Sequence, residues 1–588
     1  MKKLNDVLAE ELESAFESAG FDRSYAKVTV SNRPDLCEYQ CNGAMAAAKQ
    51  YRMAPLQIAE QVVDRLHDSA VVTDVTAVRP GFINFRMNPE WLADFLNRLA
   101  QEEKLGVEQP ERPQTIMIDY GGPNVAKPLH IGHLRSAIIG ESIKRIGRFM
   151  GHRVIGDVHL GDWGLQIGLL IAELRLHQPE LIYFDETYTG EYPENPPFTI
   201  GELEQLYPQA SARSKEDEAF YAQALEATHL LQEGRRGYRA LWQHIIHVSV
   251  EDIKKNYDRL NVSFDLWKKE SDVQPYIPDM LAAMERQGIA REDDGALIVD
   301  VAEDDDAREI PPCIVRKSDG AALYTTTDLA TLVEREREYH PDRIIYVADK
   351  RQELHFIQVF RTARKAGIVS EHTELEHIAF GTMNGKDGRP FKTRTGGVMR
   401  LETLLAEVNE EMEKKINEGR TMSQEEVEST AKLVALSAVK YGDLSNQASK
   451  DYVFDVDRFT SFEGNTGPYI LYTIVRMKSI LSKYQEQWGE VNGFSMLPAK
   501  SGEEKDVMLA LTRFADVFQT AFEECAPHKI CAYIYELSNH FNRFYHANKI
   551  MSEEDKAQRE SWVALLCLTL RALESSIDVL GFCAPERM

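Results

Sequence analysis

Long apolar runs are missing from this chain. No window of about 18 apolar residues occurs, and the most apolar C-terminal stretch, residues 563–583, is interrupted by Arg571, Glu574 and Asp578. We therefore expect no membrane-spanning helix. The two N-terminal lysines are followed by acidic residues and not by an apolar segment, so no signal peptide is expected and a cytoplasmic protein is predicted.

Cysteine pairs of the kind that bind zinc are also missing. The seven cysteines are odd in number and scattered, and only Cys37 and Cys41 lie close together. Because no CxxC pair occurs, free thiols are expected and structural zinc is not. We predict no protein-bound metal site.

Basic residues are in deficit. Lysine and arginine total 68 against 94 aspartates and glutamates, which gives a formal net charge of −26. This balance excludes a protein that binds nucleic acid through a uniformly basic surface. It permits RNA binding on a local basic face, because the sum of charges says nothing about patches.

Internal repeats and low-complexity tails are absent from the sequence, whose 588 residues are enough for several domains. Residues 1 to about 110 predict a small α/β module. Residues 111–400 alternate strand and helix patterns around an acidic, helical insertion at about 170–255. Residues 401–454 predict a helical connector, and residues 455–588 predict a helical bundle.

A βαβ unit begins at residue 115. The apolar run 115–120 ends at Gly121-Gly122-Pro123-Asn124, an amphipathic helix is predicted from His130 to Met150, and Arg153 to His159 has a strand pattern. This order predicts a doubly wound parallel sheet. A helix is expected from about 351 to 365, and the remaining strands are expected from the apolar segments 296–301, 313–316, 343–348 and 377–380.

The segment His130-Ile131-Gly132-His133 lies where the first strand gives way to its helix. Backbone N–H groups and the helix dipole favour a bound phosphate at such a position. His130 and His133 share one face of the first turn and can donate hydrogen bonds to an α-phosphate, and Gly132 lets an adenine ring approach. A surface histidine pair, or a metal pair lacking its third ligand, is the alternative.

The residues around this turn, from Asn124 to Ser136, resemble the HIGH region of class I aminoacyl-tRNA synthetases. The Pro-Asn-x-Ala-Lys-Pro motif that precedes it is similar to the arginyl-tRNA synthetase version. Further segments resemble that family in the same order: Gly161-Asp162-Trp163-Gly164, Tyr257-x-Arg259-Leu260, Phe264-Asp265, Glu270-Ser271, Tyr324 to Asp328, Gly464-Asn465-Thr466 and the terminal Pro585-Glu586-Arg587-Met588.

The resemblance implies a Rossmann-type catalytic domain between an N-terminal α/β module that binds the tRNA elbow and a C-terminal all-α anticodon-binding bundle. It implies that ATP, with Mg²⁺, activates L-arginine to arginyl-adenylate, and that the arginyl group then passes to the terminal ribose of tRNA(Arg). It also implies a monomer that needs bound tRNA before activation. The insertion is expected to contact the acceptor stem.

The resemblance assigns ATP binding to Lys127, His130, Gly132 and His133. The lysine-rich KMSKS loop of class I enzymes departs from its usual form here, because the corresponding stretch is Gly388 to Gly396. Lys127 is expected to supply the missing positive charge, helped by Lys392 and Arg394. A mobile ammonium near the α-phosphate stabilises developing negative charge wherever it lies in the chain.

The side chain of arginine stays protonated and offers five donors, so its pocket needs carboxylates and planar acceptors. The resemblance places Tyr324, Asp328, Glu270 and Gln352 around the guanidinium, with Tyr324 and Asp328 on one face if their segment is helical. The ordinary alternatives are an acid at a helix start, a core tyrosine and a surface glutamine. A lysine substrate would leave acceptors unpaired, so no editing domain is expected.

The contacts of the substrate's α-amino and carboxylate groups are assigned by the resemblance to Asp119 and Asn124. For the RNA, it assigns Tyr469, Tyr472 and Arg476 to the anticodon side, since exposed tyrosines and an arginine suit unstacked bases. It assigns Phe82 and Asn84 to the tRNA elbow. Each aromatic residue has an alternative role in a packed core.

Two other functions share part of this residue pattern. A nucleotidylyltransferase also uses an HxGH turn, but it leaves the long C-terminal helical region and the acid-plus-tyrosine set without a role. A non-catalytic relative that binds tRNA would be favoured by loss of His130, His133, Asn124 or Asp328, and all of these are present.

Overall fold

The N-terminal part of the computed structural model is an α/β module. The structure describes all residues except 34, 128, 319, 390–398, 419–421 and 494. An antiparallel sheet with the order β1-β2-β4-β3 packs against helices whose apolar residues recur at helical spacing, such as Ile58, Val62 and Leu66. The elements are α1 (Leu4–Ser18), β1 (Val28–Val30), β2 (Tyr39–Cys41), α2 (Gly43–Tyr51), α3 (Pro55–Leu66), β3 (Val72–Val78), β4 (Phe82–Met87) and α4 (Pro89–Leu99).

The central part is a parallel α/β unit with the strand order β12-β11-β5-β6-β7. Its elements are β5 (Thr115–Asp119), α5 (Ile131–Phe149), β6 (Arg153–Leu160), α6 (Leu165–His177), α7 (Ile200–Glu216), α8 (Glu218–Gln232), α9 (Arg236–Arg259), β7 (Leu266–Lys269), α10 (Ile277–Arg286), β8 (Ala290–Asp293), β9 (Ala296–Val299), β10 (Cys313–Arg316), α11 (Tyr324–Tyr339), β11 (Arg343–Asp349), α12 (Glu353–Lys365) and β12 (Glu374–Phe380).

The order of the strands reverses between β5 and β11. From β5 the chain moves outward through β6 to β7, and it then returns to add β11 and β12 on the other side of β5. In doubly wound sheets ligands bind in the crevice beyond the carboxyl ends of the strands at this reversal. The segment after β5 opens directly onto that crevice.

Two strand predictions were wrong about the sheet they join. Segments 296–301 and 313–316 form β9 and β10 of a separate antiparallel sheet with the order β10-β9-β8. The turn Asp294-Gly295 connects β8 to β9, and both residues have positive φ, +46° and +80°. A two-residue Asp-Gly turn favours an antiparallel hairpin, which keeps these strands out of the parallel sheet. The edge strand β7 was not predicted, because two lysines leave its four residues too little apolar pattern.

The C-terminal part is helical apart from a short bridge between two distant segments. Its elements are β13 (Met383–Asn384), α13 (Leu401–Asn417), α14 (Gln424–Leu444), β14 (Tyr452–Val453), α15 (Val456–Phe459), α16 (Gly467–Trp488), α17 (Gly502–Thr512), α18 (Phe514–Glu523), α19 (Pro527–Ala547) and α20 (Lys556–Val579). The predicted architecture of α/β module, parallel-sheet domain and helical bundle is confirmed, while the boundaries drawn between these parts stay predictions. Within the described ranges every helix falls short of the length or apolarity needed to cross a bilayer.

Candidate active site

A cleft of about 630 Å³ opens at the carboxyl ends of β5, β6 and β11. It lies at the reversal of strand order, where the fold predicts a ligand. Most of the residues assigned to ATP and arginine line it together: Asp119, Asn124, His130, Gly132, His133, Glu270, Tyr324, Asp328 and Gln352. The chain thus brings residues from several distant segments into one concave site.

The two histidines cap the start of α5 with their ring nitrogens. The Gly132 N–H donates to Nδ1 of His130 at 3.0 Å, and the His130 N–H donates to Nδ1 of His133 at 3.2 Å. A nitrogen that accepts a hydrogen bond carries no proton, so each neutral ring holds its proton on Nε2. The ring centroids are 3.9 Å apart, which makes the pair a compact set of N–H donors.

The environment keeps both rings neutral. Burial, followed by the charges of His130 and Lys127, lowers the pKa of His133 to about 3. Burial and the Lys127 ammonium also lower the pKa of His130. Neutral donors aimed into the cleft can stabilise negative charge on a phosphate without exchanging protons near pH 7.

Gly132 and Gly161 are required for close packing at this turn. A Cβ on Gly132 would lie 2.7 Å from Cε1 of His130, and a Cβ on Gly161 would lie 2.0 Å from Oδ1 of Asn124. Gly161 pairs with Asn124 as an isolated bridge, so the loop after β6 holds Asn124 at the cleft wall. The side chains of His130 and Asn124, which both have assigned roles, therefore each need a glycine beside them.

The Lys127 ammonium lies 4.6 Å from the centroid of the Tyr207 ring on α7. Lys127 itself is not among the residues lining the cleft, although its charge acts on both histidines. Lys392 and Arg394 lie outside the described residues.

The opposite wall of the cleft carries the acids and phenol assigned to the guanidinium. Tyr324 begins α11 and Asp328 follows one turn later, so the two share a helix face as predicted. Burial, followed by the charges of Asp162 and Asp328, raises the pKa of Glu270 to about 7. This wall is rich in acceptors, as a guanidinium ligand requires.

Gln352 and His355 bound this wall on the side of α12. Gln352 is the N-cap position of α12, and His355 lies in its first turn. Nε2 of His355 lies 2.6 Å from Oδ2 of Asp328. His355 was not predicted, because the pairing joins two helices whose residues are far apart in sequence.

Asp119 lies on the cleft floor and is already engaged by a buried arginine. The Arg335 guanidinium donates to Oδ2 of Asp119 at 2.5 Å and to Oδ2 of Asp157 at 2.7 Å. Its central carbon lies 5.2 Å from the Tyr346 ring centroid, and its side chain is 1% exposed. The sequence signal for this pairing is Asp157, an acidic residue within the apolar strand β6, because a buried carboxylate needs a partner.

Asp119, Asp157 and His159 form the one group of three close metal-type ligands in the described part of the chain. Arg335 already supplies a cation to both carboxylates. The donor set is therefore better matched to its own guanidinium than to a resident metal ion. Both ring nitrogens of His159 are buried without a hydrogen-bond partner.

The three residues assigned to the anticodon side lie together on α16, and Tyr469 and Arg476 contact α19. The Tyr469 hydroxyl donates to Oδ1 of Asn539 at 2.6 Å and accepts from Nδ2 of Asn542 at 3.0 Å. Arg476 donates to Oδ1 of Asn542 at 2.9 Å, and its guanidinium lies 4.8 Å from the Tyr472 ring centroid. All three are half-buried, so each keeps part of its surface free.

The two residues assigned to the tRNA elbow lie on β4. Phe82 is half-buried, whereas Asn84 is 7% exposed. Oδ1 of Asn84 accepts a hydrogen bond from Nε2 of Gln40 at 2.8 Å. Phe82 therefore presents more surface to a partner than Asn84 does.

Three family models together match most of the chain. The "Arginyl tRNA synthetase N terminal domain" matches residues 2–87, "tRNA synthetases class I (R), catalytic domain" matches residues 95–456, and the "DALR anticodon binding domain" matches residues 470–588. The cleft described above falls within the second match. Fold and site together define a class I tRNA synthetase.

Curated relatives give the particular family. The chain is 61% identical to the arginine–tRNA ligase of Agathobacter rectalis over the full length of both, and 54% identical to that of Alkaliphilus oremlandii over 98% of each chain. It belongs to the arginine–tRNA ligase family, as its motifs predicted. Neither the nucleotidylyltransferase nor the non-catalytic alternative is needed.

Solved structures share the fold at low sequence identity. The arginyl-tRNA synthetase of Plasmodium falciparum superposes with a TM-score of 0.82 at 23% identity, and that of Thermus thermophilus with a TM-score of 0.78 at 24% identity. In both comparisons the two chains are covered completely. The arrangement of module, sheet domain and bundle is thus the one found in those enzymes.

Proposed function

We propose that the cleft carries out both steps of arginine–tRNA ligation with the residues assigned above. In the first step an oxygen of the arginine carboxylate bonds to the α-phosphorus of ATP, the bond to the β-phosphate breaks, and pyrophosphate leaves. In the second step a terminal ribose hydroxyl of tRNA(Arg) attacks the arginyl carbonyl and AMP leaves. The observation that carries this proposal is the single cleft that joins neutral imidazole donors to an acidic pocket.

The phosphate end acts by charge and position. His130 and His133 donate Nε2–H bonds to the α-phosphate, Gly132 makes room for the adenine ring, and the Lys127 ammonium offsets the charge that develops as pyrophosphate leaves. The same role is proposed for Lys392 and Arg394 from the sequence alone. Magnesium ordinarily binds through one or two carboxylates together with substrate phosphates, so we propose that Mg²⁺ enters on ATP.

The arginine end selects by matching donors with acceptors. Asp328 and Glu270 receive the guanidinium N–H groups, and Tyr324 and Gln352 complete the ring of planar partners. Asn124 and Asp119 orient the α-amino and carboxylate groups. Lysine offers a point charge in place of a planar fork, and would leave part of this set unpaired.

The RNA is proposed to contact all three parts of the chain. Tyr469, Tyr472 and Arg476 receive bases of the anticodon arm, Phe82 and Asn84 meet the elbow, and the helical insertion meets the acceptor stem. Bound tRNA is required before arginine is activated. We further propose that the enzyme works as a monomer in the cytoplasm, where its tRNA is used.

The test is arginine-dependent ATP–pyrophosphate exchange with and without tRNA, with lysine as the control amino acid. Exchange with arginine that depends on tRNA is the expected result. Lys127→Met is expected to reduce the exchange rate with little change in the KM for arginine. Unchanged kinetics in Lys127→Met would contradict the role given to this lysine.

A further inference from the structure

Helix α7 of the insertion contacts the two cations that flank His130. The Tyr207 ring lies 4.6 Å from the Lys127 ammonium, and Oε2 of Glu204 lies 2.9 Å from Nη1 of Arg400. Glu204 and Tyr207 are three residues apart and therefore share one face of α7. The insertion thus reaches the phosphate end of the cleft through two separate side chains.

Arg400 is held close to His130 by backbone pairing. The Leu401 N–H donates to the Leu129 carbonyl at 2.9 Å, and the Ile131 N–H donates to the Met399 carbonyl at 3.3 Å. Arg400 consequently lies opposite His130 in an isolated antiparallel bridge. The ion pair with Glu204, whose side chain is 10% exposed, fixes α7 to this bridge.

Tyr207 also approaches the arginine end of the cleft. Its phenol is near enough to Tyr324 to contribute, after burial and Glu270, to the raised pKa of the Tyr324 hydroxyl. Tyr207 therefore lies near both Lys127 and Tyr324. A ring in this place can hold the Lys127 ammonium close to the phosphate end of the cleft.

We propose that Tyr207 is a positioning residue that holds the Lys127 ammonium beside His130 for the activation step, with the Glu204–Arg400 ion pair keeping α7 in place. This inference rests on the proposed role of Lys127. A lysine side chain has four rotatable bonds, and an ammonium over an aromatic face loses fewer alternatives on reaching the transition state. The aromatic face is the needed feature, and the hydroxyl is not.

The experiment compares Tyr207→Phe, Tyr207→Leu, Lys127→Met and the double variant Tyr207→Leu/Lys127→Met. Activation is measured as the single-turnover rate at saturating ATP, arginine and tRNA, so that slow variants remain measurable. Tyr221→Leu, on the exposed face of α8, is the matched control for the same change on an insertion helix.

Tyr207→Leu is expected to slow activation about 3- to 30-fold, the range that corresponds to a cation–aromatic contact. Tyr207→Phe and Tyr221→Leu are expected to match the unmodified enzyme. In the Lys127→Met background, Tyr207→Leu is expected to have no further effect, because the cation that it positions is gone.

The outcomes separate the two ideas. In one outcome, Lys127→Met slows activation, and adding Tyr207→Leu to it slows activation further by the same factor as Tyr207→Leu does alone. Tyr207 then acts independently of Lys127, so the inference is overturned while the lysine keeps its role. If Lys127→Met activates at the normal rate, the proposed role of Lys127 fails and the inference fails with it. An unimpaired Tyr207→Leu variant would also overturn the inference.

Discussion

Glu270, at the arginine end of the cleft, changes its charge state near neutral pH. Burial and the nearby Asp162 and Asp328 raise its pKa from the ordinary 4.5 to about 7. A bound guanidinium favours the carboxylate, so arginine binding below pH 7 must first release a proton. The KM for arginine is therefore expected to fall about tenfold per pH unit as pH rises toward 7, and to level off above it.

Glu270→Gln supplies the control for this pH dependence. At pH 8 the KM of this variant for arginine should be higher than that of the unmodified enzyme. Between pH 6 and pH 7 the KM of the variant should be nearly independent of pH. Because the native carboxyl holds its proton more tightly than the unfolded one, it makes the fold less stable as pH rises from about 4.5 to 7. The variant should accordingly gain thermal stability relative to the parent at pH 8. An arginine KM profile that keeps its slope in Glu270→Gln would assign the titration to another group.

His355 is expected to orient Asp328 for the guanidinium. Its Nε2 lies 2.6 Å from Oδ2 of Asp328, which leaves the other carboxylate oxygen for the substrate. Hydrogen bonds to charged groups contribute about 1.5–3 kcal/mol, so His355→Ala is expected to raise the KM for arginine about 10- to 150-fold. The KM for ATP should stay unchanged.

His355→Gln tests whether the donor or the ring is needed. A glutamine amide can donate to the same oxygen, and partial recovery of the arginine KM is expected. Equal rises in the KM for arginine and for ATP in His355→Ala would point to a general distortion of the cleft.

At the scale of single residues, the sequence predicted those site residues that follow local rules or family motifs. Tyr324 and Asp328 are four apart, and a helix brings such residues to one face. His355 and Arg335 were missed because they act across elements, on partners 27 and 216 residues away. Only the folded chain supplies contacts of that range.

At the scale of the elements, Arg335 joins the adjacent strands β5 and β6. From α11 it bridges Asp119 at the end of β5 to Asp157 in β6, and its guanidinium lies against Tyr346 of β11. Removing one partner of a buried ion pair leaves an uncompensated charge, which costs about 3–5 kcal/mol. Arg335→Met is therefore expected to lower the thermal midpoint and to increase hydrogen exchange in β5 and β6.

The triple variant Arg335→Met/Asp119→Asn/Asp157→Asn is the control for charge. It removes both orphaned carboxylates, so it should recover part of the stability lost in Arg335→Met alone. Asp119 also has a proposed substrate role, so the comparison uses stability and not activity. Identical melting curves for Arg335→Met and the unmodified enzyme would show that this bridge contributes nothing.

Elements were predicted more securely than their partners. The strands β5, β6, β11 and β12 and the helix α5 lie close to the positions that the apolar patterns indicate. The segments 296–301 and 313–316 also form strands as predicted. The Asp294-Gly295 turn, however, places them in a separate antiparallel sheet. An apolar run shows that a strand is buried, and it leaves the neighbouring strand undetermined.

At the scale of the whole molecule, the N-terminal module packs against the C-terminal bundle. Asn97 exchanges two hydrogen bonds with the backbone of Met496, at 2.9 and 2.8 Å. Lys505 forms a 2.5 Å ion pair with the buried Glu38. The sequence predicted both parts, but it carried no signal that they meet, because these contacts join residues roughly 400 to 470 positions apart.

Arg571 supplies the strongest test of this coupling. From α20 its guanidinium donates to the carbonyls of Leu99, Ala100 and Glu102, at 3.3, 3.0 and 3.0 Å, and so caps the carboxyl end of α4. Arg571→Ala leaves these carbonyls without their partner, at a cost of about 1–3 kcal/mol. Hydrogen exchange in α4 should rise, and the KM for tRNA should rise because the module that is proposed to meet the elbow loses its fixed position. At saturating tRNA, the KM values for arginine and ATP should be unchanged, since the cleft contacts neither α4 nor α20.

Arg571→Lys is the control for charge, because it keeps the positive charge but reaches fewer carbonyls. Its KM for tRNA should lie between those of the unmodified enzyme and Arg571→Ala. A KM for tRNA that stays constant while α4 exchanges faster would separate the module's attachment from RNA binding.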